Sequence, residues 1–174
     1  VIQFGLQTAL DYDLAEPDLA YELRRAAKGF AYNFASFAWL GWDETGVGIT
    51  PADHAAGFDA ARVNLRLAIE LERGDLPTSR AYWMVAAYYL ADGEYEQAIV
   101  NFEQGNLFPR QAGAGVDELL NHGYILLAKM LDTPDDVILR EDFEKLKLAF
   151  QEVEHGEDFI QQLNTAYAVF SKDE

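Results

Sequence analysis

The residues of this chain that could perform chemistry are three histidines, His54, His122 and His155, and 30 carboxylates. No two histidines have the i, i+4 spacing with which a helix binds zinc, and the chain contains no cysteine. The lack of cysteine excludes thiolate metal sites, disulfides and cysteine nucleophiles. We therefore interpret the histidines as structural and predict no metal site.

The acidic and glycine-rich segments also lack a catalytic or phosphate-binding pattern. The acidic clusters at 11–13, 135–136 and 152–154 do not alternate oxygen ligands around a central glycine, as a calcium loop requires. The glycine segments 46–48 and 113–115 follow no predicted strand and are not followed by the Gly or Lys of a phosphate loop. No serine lies in a G-x-S-x-G context. The sequence predicts neither an enzyme nor a bound cofactor.

The strong negative charge limits the classes of partner. The chain has 30 acidic and 13 basic residues, for a formal net charge of −17. Nucleic acids and anionic membranes are bound by clustered Lys and Arg, so neither is expected as a partner. No apolar run reaches the 18 residues of a membrane span, and no signal peptide is present, so we expect a soluble protein without membrane insertion. The chain starts at Val1, so the earlier removal of an export signal stays open. The compartment is therefore unknown from the sequence, with a cytoplasmic location as one alternative and a periplasmic location, after removal of such a signal, as the other.

Apolar residues recur with the 3.6-residue period of helices through most of the chain, and strand patterns are nearly absent. We predict an all-α fold of about seven helices, antiparallel to their neighbours because most turns are short. The longest apolar stripe, at Leu19, Leu23, Ala26, Phe30, Phe34, Phe37 and Leu40, predicts a helix from an N-cap at Asp18 to Leu40. A loop over 41–50 precedes a helix from Pro51, with Thr50 as its N-cap, to about Arg73. Other helices are predicted near 1–13, from a cap at Thr78 or Ser79 to 91, and over 94–105, 117–131, 139–154 and 158–171, with a flexible loop over 106–115.

The segment 79–112 resembles a tetratricopeptide repeat, a helix–turn–helix unit of 34 residues with small and large apolar residues at fixed positions. Two other segments resemble the repeat more weakly: 18–75, as an atypical helical pair, and 117–154, as a degenerate repeat. The resemblance implies a single domain over 1–174, built as a short solenoid of about three degenerate repeats with a capping helix at 157–171. The residues that match are Tyr82, Val85, Ala86 and Tyr89 in the first helix, Gly93 and Tyr95 at the turn, and Ala98, Phe102 and Gly105 in the second helix.

This resemblance implies a non-catalytic scaffold that binds another polypeptide in a concave groove, lined by the first helix of each repeat. Trp83 and Tyr124 are the expected anchors, because Trp and Tyr give a large contact area at low entropic cost, and burial between helices is the alternative. The groove lacks the Lys, Arg and Asn arrangement with which some family members bind a C-terminal carboxylate. The acidic charge favours a partner with a basic segment. The predicted groove residues are Arg80, Trp83, Ala87 and Leu90 from one repeat and Asp117, Leu120, Tyr124 and Leu127 from the next.

Aromatic residues crowd the segment from Phe30 to Trp42 and leave further alternatives open. They either pack a thick core or line an apolar pocket for a small hydrophobic ligand, formed by Phe30, Phe34, Phe37 and Trp39. Together with the segment 60–71 and the helix start at Tyr82 and Trp83, this segment is similar to the T-component proteins of TRAP transporters. That similarity implies a ligand-binding or transport-associated helical-repeat protein of the cell envelope. A third alternative is a self-associating structural protein, since open solenoid edges and exposed aromatics permit a homodimer.

Overall fold

The computed structural model describes residues 1–112 and 115–171, and this part of the chain forms eight α-helices and one short 3-10 helix. Consecutive helices pack as sequential antiparallel pairs, and no strand occurs in the described ranges. The predicted all-α, antiparallel architecture is therefore confirmed. The helices are α1 (Ile2–Tyr12), α2 (Pro17–Phe37), the 3-10 helix (Leu40–Trp42), α3 (Pro51–Glu70), α4 (Asp75–Ala91), α5 (Tyr95–Ala112), α6 (Gly115–Asp132), α7 (Val137–Phe150) and α8 (Gly156–Phe170).

Local capping signals set several helix boundaries. Thr50 and Asp53 form a reciprocal capping box at the start of α3, with Pro51 at the first helical position, as predicted. The expected turn between α4 and α5 is also present, and Gly93 adopts the left-handed conformation there, with φ +74°. Because these signals depend only on residues close together in the sequence, they predict the helix boundary and the turn without knowledge of the fold.

Other predicted boundaries are wrong. Asp18 is not the N-cap of α2, because Glu16 takes that position and Pro17 begins the helix. The helix expected to start after Thr78 or Ser79 begins at Asp75, since Gly74 makes the turn with φ +88°. The helix expected to end at 105 continues to Ala112, so 106–112 is not a loop, while 113–114 lie outside the described residues. Helices α2, α3 and α7 end at Phe37, Glu70 and Phe150, earlier than expected.

Helix α2 buries alanines rather than phenylalanines. Ala20, Ala27, Ala31 and Ala35 are buried, whereas most of the predicted apolar stripe is exposed. Small side chains on this face let α1, α3 and α4 approach the helix closely, and the larger phenylalanines then lie on another side. The alternative in which these phenylalanines pack a thick core is therefore wrong.

Two reciprocal hydrogen bonds join the end of α2 to α4. The Tyr88 hydroxyl of α4 donates to the Ala35 carbonyl at 2.7 Å, and the Trp39 indole donates to the Ala87 carbonyl at 2.9 Å. The Trp42 indole also donates to the Ser36 carbonyl at 2.7 Å. These donors satisfy carbonyls near helix ends and fix the position of the 3-10 helix.

The even-numbered helices contact one another as well as their sequence neighbours. Helix α4 contacts α2 and α6, α6 contacts α8, and α8 returns to contact the 3-10 helix that follows α2. This arrangement places α2, α4, α6 and α8 around one shared interior region. No helix in the described ranges combines the length and the hydropathy needed to cross a bilayer.

Candidate functional site

A cavity of about 370 Å³ lies in the region shared by the even-numbered helices. Helices α4 and α6 form two of its walls, and α2, α8 and the 3-10 helix complete it. Its volume is within the range of small-molecule sites in proteins. The lining residues are Tyr32, Trp42, Ser79, Arg80, Trp83, Val116, Asp117, Leu120, Asn121, Phe159 and Gln162.

Aromatic packing beneath the cavity holds its wall in place. The Trp83 ring packs against Trp39, Trp42 and Tyr124, with ring centroids 5.4, 6.1 and 5.1 Å apart. The Tyr124 hydroxyl accepts a hydrogen bond from the Gln162 amide of α8 at 2.9 Å. Burial raises the pKa of Tyr124, so this hydroxyl is neutral and available for hydrogen bonding at physiological pH.

One ion pair lies at the edge of the cavity and links its two principal walls. Arg80 Nε lies 2.9 Å from Asp117 Oδ1 and Arg80 Nη2 lies 3.4 Å from Oδ2, so the pair is bidentate. The hydrogen bond to Asp117 raises the pKa of Arg80. The Arg80 side chain is 57% exposed, so solvent screens the pair and it adds little to stability. Its effect at the site is to leave the lining without net formal charge.

Two buried polar atoms next to the cavity lack a hydrogen-bond partner among the described residues. They are Nε1 of Trp83 and Oδ1 of Asn121. The Asn121 oxygen lies against Gly105 of α5, where an added Cβ would be 3.0 Å away, and the Asn121 amide donates to the Asp117 carbonyl at 2.8 Å. Buried groups of this kind usually have a partner, so they mark the wall as polar in two places within a mostly apolar lining.

The structure separates the eight predicted groove residues into two sets. Arg80, Trp83, Asp117 and Leu120 line the cavity together. Ala87, Leu90, Tyr124 and Leu127 lie in the core, with relative exposures of 0–1%. Trp39, just before the 3-10 helix, packs on Tyr124 and on Phe170 of α8, with ring centroids 6.1 and 6.0 Å apart, and its indole donates to the Ala87 carbonyl. Only the first set therefore lines the cavity.

The four residues expected to form an apolar ligand pocket do not enclose one cavity. Phe30, Phe34 and Phe37 are exposed on α2, whereas Trp39 is buried. Phe37 and Trp39 share only a shallow hollow of about 100 Å³ beside the 3-10 helix. The aromatic residues that line the larger cavity are instead Tyr32, Trp42, Trp83 and Phe159.

Seven of the cavity residues were not predicted from the sequence: Tyr32, Trp42, Ser79, Val116, Asn121, Phe159 and Gln162. Ser79 and Asn121 lie one turn from predicted groove residues of α4 and α6, so the helical period could have identified them. Phe159 and Gln162 belong to α8, and no local signal shows where a terminal helix will pack.

His54 takes part in helix packing. His54 lies 2.7 Å from Asp92 through its Nε2 atom, which links the start of α3 to the end of α4. No group of three or more His, Cys, Asp or Glu side chains suited to a metal ion occurs within 1–112 and 115–171. His54 also packs against Tyr88, with ring centroids 5.0 Å apart, and so contributes to the α3–α4 interface.

Comparison with protein-family models, with curated proteins and with solved structures finds no significant match to this chain. A function for the chain therefore follows only from the geometry of the site itself.

Proposed function

We propose that the protein is a non-catalytic binding module of the tetratricopeptide-like helical-repeat type, which takes up part of another polypeptide between α4 and α6. The observation that carries the proposal is the cavity of about 370 Å³, because Arg80, Trp83, Asp117 and Leu120 surround it. These residues come from the two helices that the repeat pattern assigns to a groove. Their convergence on one cavity supports a binding role for this face.

The packing of α4 against α5 supports the repeat-like description. Ala86 and Ala98 are fully buried, which fits a close approach of the two helices. Phe102 of α5 stacks on Tyr124 of α6, with ring centroids 5.3 Å apart. In this proposal α8 acts as the capping helix of a short solenoid, and it also narrows the groove by packing across its deeper half.

The narrowed groove determines the size and chemistry of the bound group. A cavity of about 370 Å³ accepts one bulky side chain with its adjoining backbone rather than a long extended segment. Its lining is mainly aromatic and aliphatic, and its two charged residues neutralise each other. The bound group is therefore an uncharged, largely apolar side chain of the partner, in the manner of an interface hot spot.

A small apolar ligand is the second candidate, because the cavity is bounded on several sides by α2, α4, α6, α8 and the 3-10 helix. Such enclosure is typical of small-molecule sites. A small ligand would contact the same apolar lining. The two candidates therefore share one site and differ in whether the bound apolar group belongs to a polypeptide or to a free small molecule.

Selection from a displayed random-peptide library tests the first candidate, with a variant that fills the cavity. Leu120→Trp places a large ring among the lining residues, and Leu148→Trp is the matched control on the exposed surface of α7. We expect enriched peptides that share one bulky apolar residue and bind the wild type and Leu148→Trp equally, but bind Leu120→Trp at least tenfold more weakly. Equal binding to all three proteins, or no enrichment, would contradict a peptide-binding cavity.

Native mass spectrometry separates the second candidate from the first. The wild type and Leu120→Trp are each exposed to an apolar metabolite extract and analysed for bound mass. A ligand retained by the wild type and lost from Leu120→Trp, combined with a failed peptide selection, favours the small-ligand function.

A further inference from the structure

The outer side of α2 carries an apolar surface that the core does not use. Phe30, Phe34 and Phe37 are 54%, 42% and 79% exposed, and their i, i+4, i+7 spacing places them along one side of the helix. Taking ~200 Å² for a phenylalanine side chain, they expose on the order of 350 Å² in total. A patch of that size is comparable to the largest apolar patch of an ordinary monomer, which is often functional. We call these three residues the α2 flank.

The α2 flank lies where the helix stack lacks a neighbour. Each residue turns an α-helix by about 100°, so Phe30 and Tyr32 lie on opposite sides of the buried Ala31. Tyr32 lines the cavity together with residues of α4, which places α4 on that side. Among the described residues, α4 and α6 each make substantial contacts with two even-numbered helices, whereas α2 makes such contacts with α4 alone. The α2 flank is thus the position at which one more helix would continue the stack.

Acidic groups border one end of this surface. Phe37 shares the hollow beside the 3-10 helix with Asp43 and Glu44, and with the apolar residues Leu40 and Val47. Neither carboxylate forms an ion pair within the described part of the chain. The whole chain has a net charge of −17, which attracts basic partners and repels acidic ones.

We propose that the α2 flank docks an amphipathic helix of another protein, whose apolar face covers Phe30, Phe34 and Phe37 and whose basic residues meet Asp43 and Glu44. The partner is expected to be a helix because α2 lacks a neighbouring helix on this side of the stack. Its apolar face is expected because that face would cover the exposed phenylalanines. The unpaired carboxylates select for Lys or Arg on its border. This site is separate from the cavity, so its occupancy does not depend on the function proposed above.

The test uses a fluorescently labelled synthetic helix with leucines on one face and lysines on both borders, and its counterpart with every lysine replaced by glutamate. Binding to the full chain is measured by anisotropy at low and at moderate salt. We expect the lysine helix to bind at least tenfold more tightly than the glutamate helix, and its affinity to fall with salt, because screening weakens exposed charge pairs.

Two pairs of substitutions assign the binding to this surface. Phe34→Ser with Phe37→Ser should weaken the lysine helix at least tenfold, and Asp43→Asn with Glu44→Gln should weaken it about threefold and reduce its salt dependence. Val100→Ser with Leu107→Ser, at exposed positions of α5, is the control and should leave binding unchanged. Circular dichroism verifies that each variant retains its helices, as expected for exposed positions.

Three results would overturn the proposal. The lysine and glutamate helices bind alike, or the Phe34→Ser/Phe37→Ser variant binds as the wild type does, or no binding occurs. In the last case, sedimentation identifies the alternative occupant: a wild-type dimer that becomes a monomer in the phenylalanine variant means that a second copy of this chain covers the α2 flank.

Discussion

Gly57 and Tyr88 provide a direct test of the packing that fixes the end of α2. An alanine Cβ at position 57 would lie 2.1 Å from the Tyr88 hydroxyl oxygen and 2.8 Å from the Ala38 Cβ. Tyr88 cannot move away easily, because its ring stacks on Phe58 at 5.3 Å and its hydroxyl donates to the Ala35 carbonyl at 2.7 Å. Gly57→Ala therefore forces a clash in a fully buried site.

The expected free-energy changes follow from these contacts. Overpacking a core costs about 1–3 kcal/mol, and the better helix propensity of alanine offsets about 0.5–1 kcal/mol of that cost. We expect Gly57→Ala to lower the free energy of unfolding by about 1–2 kcal/mol. Tyr88→Phe leaves the buried Ala35 carbonyl without its donor and costs about 1–3 kcal/mol. Since Tyr88→Phe also removes the atom nearest to the new Cβ, the double variant should lose at least about 0.5 kcal/mol less than the sum of the two single losses.

Urea unfolding followed by circular dichroism and tryptophan fluorescence measures all four proteins of the cycle. A loss of 1 kcal/mol corresponds to a fall of about 2–4 °C in Tm for a chain of this size. Gly29→Ala is the control, because Gly29 lies in α2 with no atom within 4 Å of an added Cβ, and it should gain about 0.5–1 kcal/mol. Additive losses within about 0.3 kcal/mol, or a stabilised Gly57→Ala, would refute the packing argument.

Two further predictions concern helix capping and a buried polar pair. Asp136→Ala removes the N-cap that accepts from two amides of α7, and should cost about 1 kcal/mol in urea unfolding, whereas Asp135→Ala should change stability by less than about 0.5 kcal/mol. Lys28 donates a hydrogen bond to the buried Asn64 at 2.9 Å, so Lys28→Met alone should lower the free energy of unfolding by about 1–3 kcal/mol. Adding Asn64→Leu should recover most of that loss. A double variant no more stable than Lys28→Met would contradict this prediction. Desolvation lowers the pKa of Lys28, so the folded state binds the proton less tightly than the unfolded state, and wild-type stability relative to the double variant should rise as the pH is raised through that pKa.

Short-range signals made part of the fold predictable. The capping box at Thr50 and the Asp92-Gly93 turn each depend on residues within a few positions, and both are present in the structure. The helical period also predicted the all-α fold, and the short turns predicted its antiparallel pairs. By contrast, the helix that continues through Asn106 and Pro109 was missed because proline usually ends a helix. Both residues are buried in α5, so tertiary packing outweighs the local preference.

The buried face of α2 could not be predicted from hydropathy, because its alanines and its phenylalanines both repeat at helical spacing. Hydrophobicity favours the phenylalanine side, whereas close packing of three neighbouring helices requires the alanine side. The choice depends on the distance between helices, which is a property of the assembled fold. The same limit applies to the cavity: four of its lining residues were implied by the resemblance to a tetratricopeptide repeat, but the contribution of α8 was not.

The contacts that stabilise the interior also determine the depth of the candidate site. Trp39 and Tyr88 link the end of α2 to α4 through hydrogen bonds to backbone carbonyls, and these bonds hold Trp39 against Tyr124. Because Trp39 also packs on Phe170 of α8, the open space beside these rings is limited to the cavity lined by Trp42 and Trp83. A long peptide groove would require these buried hydrogen bonds to break, whereas a single apolar group enters without breaking them. If the protein binds a polypeptide as proposed, the hydrogen bonds at the end of α2 therefore favour recognition of one anchoring group over recognition of an extended chain.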